Sequence, residues 1–240
     1  VIGAGAIGGL VAGYLKSAGE DVSLIARPAA VEAIRTNGLE ISGVRGNIEV
    51  QIETSEKLSF KPDLAILATK TQDVEPAVRE NLPFLKDSLV LTSQNGVRSD
   101  GMIARYLPKE RVISSIVMFG ATSLNPGSIV HNFEGSWIIG KPFARDDQDS
   151  ELLKGFLGKI FPTHLSDNIM GMKYLKVFVN ANNCIPAILG ISMQEAFLDL
   201  KISSICIAIW SEGLKIIQQA GIKLVSLPDF PLERLLKLAA

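Results

Sequence analysis

The sequence is poor in the residue types that build metal centres and disulfide scaffolds. It contains two cysteines and two histidines among 240 residues. Cys184 and Cys206 stand in apolar, helix-like segments and form no CxxC motif, so neither a zinc site nor a disulfide framework is predicted. We therefore expect no metal, and a reduced protein that resides in the cytoplasm.

A strong charge of one sign and a long hydrophobic run are also missing. The chain carries 24 basic and 25 acidic residues, which leaves a net charge of -1. Without a positive field, we expect no nucleic-acid partner and no attraction to an anionic membrane. No uninterrupted apolar run reaches the roughly 18 residues of a membrane span. The 47% of hydrophobic residues instead predict a globular protein with a sizeable core.

Both ends of the sequence have little of what normally completes an element. Only Val1 and Ile2 precede the first glycine, whereas a strand usually has about five or six residues. Residues 232–240 show a helical pattern that stops without a cap. We therefore expect a part of a longer protein, with its last domain incomplete.

A glycine-rich turn near the start is the most informative motif present. Val1 and Ile2 lead into this turn, a helix pattern follows up to Gly19, and a short strand covers residues 21–26. This order predicts a βαβ unit. The six residues of the turn are Gly3, Ala4, Gly5, Ala6, Ile7 and Gly8.

Each glycine of this turn has a physical task in a dinucleotide site. Gly3 permits the tight turn, Gly5 lets the backbone approach a pyrophosphate, and Gly8 allows the helix to pack closely on the strand. The amides at the helix start then face the phosphates. A glycine turn in an α/β protein without a nucleotide is the alternative interpretation.

The end of the second strand indicates which dinucleotide is bound. An NAD site usually carries Asp or Glu here to bind the ribose 2′-hydroxyl. The residue is Arg27, and a guanidinium suits a 2′-phosphate. This favours NADPH over NADH, and a solvated surface arginine is the alternative.

Three continuous apolar segments, 64–68, 88–92 and 112–117, are typical of central parallel strands. Lys70 and Asn95 follow the first two of them. In open α/β sheets, ligands bind outside the carboxyl ends of the strands, so both residues are expected in the same crevice as the glycine turn. The alternatives are a strand-end surface charge for Lys70 and an ordinary turn at Asn95.

The remaining pattern completes the predicted architecture. Residues 38–54 suggest a small antiparallel insertion, and residues 120–140 form glycine-separated strands in which His131 is expected to be structural. The fold class is therefore α/β. A Rossmann-type doubly wound parallel sheet in residues 1–165 is followed by an all-helical domain in residues 166–240.

Polar residues form a stripe on an otherwise apolar segment of the second domain. Lys176, Asn180 and Asn183 occupy positions i, i+4 and i+7, which fall on one face of a helix. An ammonium group and carboxamides in apolar surroundings are costly unless they meet a polar partner. A 2-keto acid in front of a nicotinamide would be such a partner, and a solvent-facing helix side is the alternative.

Together these segments make the sequence similar to the ketopantoate reductase (2-dehydropantoate 2-reductase) family. The resemblance implies a Rossmann domain, a helical domain and an active site in the cleft between them. The matching pieces follow the family's order along nearly the whole chain: residues 3–9, Arg27, residues 68–70, residues 94–96, the series Gly120, Gly127, His131, Gly135 and Gly140, and Lys176 with Asn180 four positions later.

The resemblance also implies roles for individual residues. Lys176 matches the catalytic lysine that protonates the developing alkoxide, and Asn180 matches a substrate-binding asparagine. Asn95 is assigned to both substrate and cofactor, and Lys70 to the cofactor. Residues 3–8 together with Arg27 match the NADPH site.

Two departures from the family pattern bear on the substrate site. Some relatives carry a further asparagine one turn after Asn180, where this chain has Cys184, so we assign Asn183 as its substitute. The family's later serine and glutamate have no counterpart before Ala240. We expect them beyond this sequence.

The predicted function is NADPH-dependent reduction of 2-dehydropantoate to pantoate, in pantothenate and coenzyme A biosynthesis. Lys176 acts as the general acid for the keto acid substrate. Two alternatives stay open: another NADP-dependent 2-keto acid or opine-type reductase, and a non-catalytic NADPH sensor.

Residues 202–210 predict a buried helix, because they form the richest apolar stretch of the chain. The helix pattern through Ile205, Ile209 and Leu214 is apolar on more than one side. Cover by further C-terminal helices or by a homodimer interface would explain this equally well.

Overall fold

The structure is a computed structural model that describes residues 1–145, 148–228 and 230–239. It divides into two compact units, Val1–Ile169 (unit 1) and Met170–Ala240 (unit 2). The division falls shortly after the predicted boundary at residue 165. The reason is that the chain stays bonded to unit 1 beyond that point, where the Ser166 amide donates to the Ile139 carbonyl at 2.9 Å.

Unit 1 alternates strands and helices along the chain. Its described strands are β1 (Ser23–Ile25), β2 (Leu39–Gly43), β3 (Ile48–Val50), β4 (Glu53–Ser55), β5 (Leu64–Leu67), β6 (Leu89–Thr92), β7 (Val112–Val117), β8 (Gly120–Asn125), β9 (Ser128–Phe133), β10 (Trp137–Gly140) and β11 (Thr163–Leu165). Its helices are α1 (Ala6–Ser17), α2 (Pro28–Asn37), α3 (Val74–Leu85), α4 (Ser99–Ile103) and α5 (Gln148–Leu157).

The main sheet is parallel around the first residues of the chain. Ile2 forms parallel bridges to Ile25 of β1 on one side and to Leu67 of β5 on the other. The parallel order is therefore β4, β1, Ile2, β5, β6 and β7. β10 extends this sheet antiparallel to β7, and β11 pairs parallel to β10. This is the strand order of a doubly wound dinucleotide-binding sheet, and it confirms the predicted fold class.

Both faces of this sheet are buried, as its continuous apolar strands predict. Val90 and Leu91 are neighbours on β6, yet they belong to different core clusters. One cluster contains Leu91 and Leu10 of α1, and the other contains Val90 and Val78 of α3. Successive side chains of a strand point to opposite faces, so each cluster fills the space between the sheet and a covering helix.

A second sheet, with the order β3, β2, β9 and β8, covers the outer side of α1. The antiparallel pair β2–β3 agrees with the predicted insertion. His131 on β9 is fully buried. Its Nε2 lies 3.0 Å from the Phe133 carbonyl and its Nδ1 lies 2.8 Å from the Tyr14 hydroxyl. Burial lowers the pKa of His131, so a neutral ring bonded at both nitrogens has the structural role that we expected.

Unit 2 is helical in its described residues, apart from a single bridge between Leu227 and Phe230. Its helices begin with α6 (Ile169–Ala181), whose first residue still belongs to unit 1. They continue with α7 (Cys184–Leu189), α8 (Met193–Leu198), α9 (Leu200–Gln219) and α10 (Leu232–Ala239).

The expectation of a buried helix over residues 202–210 is wrong. These residues lie in α9, where Ile205 is 56% exposed and Cys206 only 2% exposed. α9 contacts α8 and α10, and the described chain leaves most of its apolar side chains uncovered. Among the helices of the described residues, none is long and apolar enough to cross a bilayer.

Candidate functional site

A cleft of about 880 Å³ opens in unit 1 at the carboxyl ends of the parallel strands. It lies where the strand order reverses, between β1 on one side and β5 and β6 on the other. The residues that the sequence assigns to a cofactor line it, with the exception of Gly8: Gly3, Ala4, Gly5, Ala6, Ile7, Arg27, Lys70 and Asn95. The structure therefore brings these predicted residues together in one cavity.

The glycine turn fits tightly against β5 and leaves open space towards the cleft. Gly3 has a φ of +108°, and a Cβ there would lie 2.9 Å from the Ala68 carbonyl carbon. A Cβ on Gly8 would lie 1.8 Å from the Gly3 oxygen, whereas one on Gly5 would meet nothing within 4 Å. Gly8 thus serves the contact between helix and strand, and Gly5 leaves room for a ligand against the backbone.

The N-terminus of α1 supplies the positive end of a dipole to this space. Gly5 is the N-cap residue, no side chain caps the helix, and its first turn contains no acidic residue. The first amides of a helix lack intrahelical partners, and the N-terminus carries a partial positive charge. Because Ala6 and Ile7 line the cleft, their amides are suited to bind a phosphate group.

Polar side chains join the ends of β5 and β6 at the wall of the cleft. The Gln94 Nε2 donates to the carbonyls of Leu67 at 2.8 Å and Thr69 at 3.1 Å. The Gln94 Oε1 and the Thr69 Oγ1 are buried, and among the described residues they have no hydrogen-bond partner. Buried polar atoms of this kind are rare in folded proteins. Together with the open glycine turn, they fit a cleft that receives a polar ligand such as a dinucleotide.

Arg27 and Asp73 form an ion pair at the side of the cleft next to β1. The Arg27 Nη2 lies 3.1 Å from the Asp73 Oδ2, and the two side chains are 85% and 36% exposed. Both residues line the cleft, as do Lys70 and Asn95, which are exposed. The basic groups of this cavity are therefore accessible to an anionic ligand.

The three residues predicted to contact the substrate belong to unit 2. Lys176 and Asn180 lie one turn apart on α6, and Lys176 is half-buried. Burial, together with the positive charge of Lys173, lowers the pKa of Lys176 to about 8. An amine with this pKa is largely protonated at neutral pH and gives up its proton readily, which suits acid–base chemistry.

Asn183 does not share the helix of Lys176 and Asn180, and the predicted helical stripe is wrong at this position. α6 ends at Ala181, and Asn183 lies in the turn before α7. Pro186 accounts for this break between α6 and α7. It has no N–H to donate to the carbonyl four positions earlier, as a continuous helix would require. The Asn183 Nδ2 nevertheless lies 3.4 Å from the Asn180 Oδ1, so the two carboxamides remain neighbours.

Among the residues that line the cleft, Thr69, Asp73 and Gln94 are ones to which the sequence assigned no role. Thr69 and Gln94 directly precede Lys70 and Asn95 at the ends of strands, and this position was the available signal for both. Asp73 lies 46 residues from Arg27 along the chain, and nothing local in the sequence indicates the pairing. Over the described ranges, no group of three or more His, Cys, Asp or Glu residues is placed to hold a metal ion.

Comparison with known proteins identifies relatives over most of the chain. Residues 1–142 match the family described as ketopantoate reductase PanE/ApbA. The curated 2-dehydropantoate 2-reductase of Pyrococcus horikoshii is 35% identical over 226 residues, which cover 93% of this chain and 74% of that protein.

Solved structures show the same fold. A PanE/ApbA family ketopantoate reductase from Ralstonia eutropha matches with a TM-score of 0.84 and 26% identity, covering 94% of this chain and 76% of the other. The ternary structure of a D-mandelate dehydrogenase with NADH and anilino(oxo)acetate matches with a TM-score of 0.83 and 24% identity, covering 99% and 78% of the two chains. The second match is a likeness of fold.

Proposed function

Because the chain belongs to the ketopantoate reductase PanE/ApbA family, we propose that it reduces 2-dehydropantoate to pantoate with NADPH, as a step of pantothenate and coenzyme A biosynthesis. The observation that carries this proposal is the glycine-lined cleft of unit 1 in a chain of this family. The relatives are named as reductases, so the alternative of a non-catalytic sensor is set aside. Two free cysteines agree with the cytoplasm as the proposed location.

The residues of the cleft suit the parts of a dinucleotide. The amides of Ala6 and Ile7 would bind the pyrophosphate beside Gly5, and Arg27 would bind the 2′-phosphate. Lys70 and Asn95 would contact the cofactor at the ends of β5 and β6. When bound, the dinucleotide supplies a hydride to the carbonyl carbon of the keto acid.

Lys176 is the proposed proton donor. As the carbonyl carbon is reduced, negative charge develops on its oxygen, and the Lys176 ammonium stabilises this charge and then donates its proton. Its pKa of about 8 supports this role, because the group is charged at neutral pH and still acidic enough to transfer the proton. Asn180 and Asn183 are the proposed hydrogen-bonding partners of the substrate.

The fold alone also accommodates other 2-keto acids. This chain shares its fold with a D-mandelate dehydrogenase. The second candidate function is therefore that of a different NADP-dependent 2-keto acid or opine-type reductase. A panel of keto acids distinguishes the two, because the proposed enzyme has its highest kcat/KM with 2-dehydropantoate. A higher value with an aromatic or branched 2-keto acid would favour the second candidate.

The decisive experiment measures NADPH oxidation in the presence of 2-dehydropantoate, for the wild-type chain and for Lys176→Ala. We expect the variant to lose roughly 10²–10⁴-fold in kcat, the usual contribution of a general acid, while its dissociation constant for NADPH stays unchanged. Lys201→Ala removes an exposed lysine of α9 and serves as the matched control with normal turnover. Near-normal turnover of Lys176→Ala would contradict the assignment.

A further inference from the structure

The cleft carries two opposite charges at the position where the sequence predicts the 2′-phosphate of the cofactor. Arg27 follows β1 and precedes α2, whereas Asp73 directly precedes α3. Their side chains meet with the Arg27 Nη2 and the Asp73 Oδ2 3.1 Å apart, and both residues line the cavity. A ligand group that reaches Arg27 therefore also meets the Asp73 carboxylate.

The ion pair leaves both groups available to a ligand. A guanidinium has five N–H donors. In the described part of the chain, the Asp73 carboxylate accepts one hydrogen bond, from the Arg27 Nη2. The Arg27 side chain is 85% exposed, so a phosphate can approach its remaining donors. The Asp73 carboxylate likewise keeps acceptor positions for a hydroxyl group.

The two cofactors respond to this pair in opposite ways. The 2′-phosphate of NADPH is attracted by Arg27 and repelled by the Asp73 carboxylate beside it. NADH carries a hydroxyl at the same place, and an acidic residue near the end of the second strand is the usual acceptor for it. The carboxylate therefore disfavours one cofactor and favours the other.

We propose that Asp73 is a cofactor-selectivity residue, which weakens the preference for the 2′-phosphate at Arg27 and binds the ribose hydroxyl of NADH, so that this protein uses both cofactors. The inference rests on the proposed function in one respect, the assignment of Arg27 to the 2′-phosphate. It adds that Asp73, opposite Arg27 in the same cleft, sets the ratio of the NADPH-dependent to the NADH-dependent activity.

The test compares the wild-type chain with Asp73→Asn, which keeps the side-chain shape and removes the charge. Calorimetric titration with 2′,5′-ADP and with 5′-AMP isolates the adenosine end of the cofactor from the reaction. A carboxylate about 6 Å from a doubly charged phosphate in an exposed site corresponds to roughly tenfold in affinity. We expect 2′,5′-ADP to bind about tenfold more tightly to Asp73→Asn by this reasoning, and 5′-AMP to bind no more tightly.

The kinetic counterpart is the ratio of kcat/KM for NADPH to that for NADH. It should rise by about the same factor in Asp73→Asn and fall in Arg27→Asp. Glu75→Gln is the matched control, because Glu75 forms an ion pair with Arg105 at 2.9 Å and neither residue lines the cleft. In this control, the ratio of kcat/KM for NADPH to that for NADH should remain at its wild-type value.

An affinity for 2′,5′-ADP that is unchanged or weaker in Asp73→Asn would overturn the inference, since the carboxylate would then be inert or would merely orient Arg27. If the wild-type chain reduces 2-dehydropantoate in that case, only this inference fails. If 2′,5′-ADP binding is also insensitive to Arg27→Asp and no keto acid is reduced, the proposed function fails as well.

Discussion

At the scale of single residues, Lys176 carries the proposed chemistry. Its pKa is lowered to about 8, first by burial and second by the charge of Lys173, a residue that is itself only 3% exposed. The ammonium form must be present for proton donation, and it is present below this pKa. The proton donor is therefore lost as the pH rises through about 8.

The loss of the protonated Lys176 at high pH predicts a pH profile for keto acid reduction. We expect kcat/KM to be constant below about pH 8 and to fall about tenfold for each further pH unit, since the fraction of protonated lysine falls by that factor. The affinity for 2′,5′-ADP, measured over the same range, controls for loss of cofactor binding. A profile that stays flat for more than about one unit above the pKa would exclude Lys176 as the acid.

At the scale of elements, the position of α6 depends on α9. The Trp210 Nε1 of α9 donates to the Phe178 carbonyl of α6 at 2.8 Å. Gly213 of α9 lies directly against the Phe178 ring, since a Cβ there would be 2.4 Å from its Cε1. α9 therefore packs closely on α6 because Gly213 has no side chain. This contact fixes the position of the helix that carries Lys176 and Asn180.

Two glycine substitutions test this contact. Gly213→Ala forces the buried Phe178 ring to move, and overpacking of this kind costs about 1–3 kcal/mol in the free energy of unfolding. Gly155→Ala in α5 is the matched control, because its Cβ meets nothing within 4 Å and a helical alanine gains roughly 0.5–1 kcal/mol. Urea unfolding followed by circular dichroism measures the free energy of unfolding of both variants. Equal changes in the two variants would argue against the contact between Gly213 and Phe178.

Elements with a strong local pattern were predictable. The apolar segments at 64–68, 88–92 and 112–117 correspond to β5, β6 and β7, because a strand buried on both faces must be apolar throughout. The end of α6 was not predicted, although Pro186 was the available signal. Exposure of α9 was also missed, since an apolar sequence does not tell which of its faces another element covers.

At the scale of the whole molecule, each unit contains one of the two tryptophans. Trp137 of unit 1 is fully buried and meets the Phe119 ring edge-on, with 5.5 Å between the ring centroids. Trp210 belongs to α9 of unit 2. The fluorescence of a variant that retains one tryptophan therefore reports the unfolding of one unit.

This arrangement allows the proposed cofactor site to be assigned to a unit. In Trp210→Phe, where Trp137 is the reporter, NADP⁺ at about 100 times its dissociation constant should stabilise the observed transition by roughly 2.7 kcal/mol. The shift arises because the cofactor binds the folded cleft and not the unfolded chain. An unchanged transition in the presence of saturating NADP⁺ would contradict a cofactor site in unit 1.

The sequence by itself determined the βαβ unit, the glycine turn, the parallel strands and the residues at their carboxyl ends. These features depend on local backbone geometry and on periodicity, which neighbouring residues encode. Only the tertiary structure decided that Asp73 faces Arg27, that Gln94 joins two strand ends, and that Asn183 leaves the helix of Lys176. Two of these features are contacts between distant segments of the chain, and the third follows from a proline that stops one helix before the next begins.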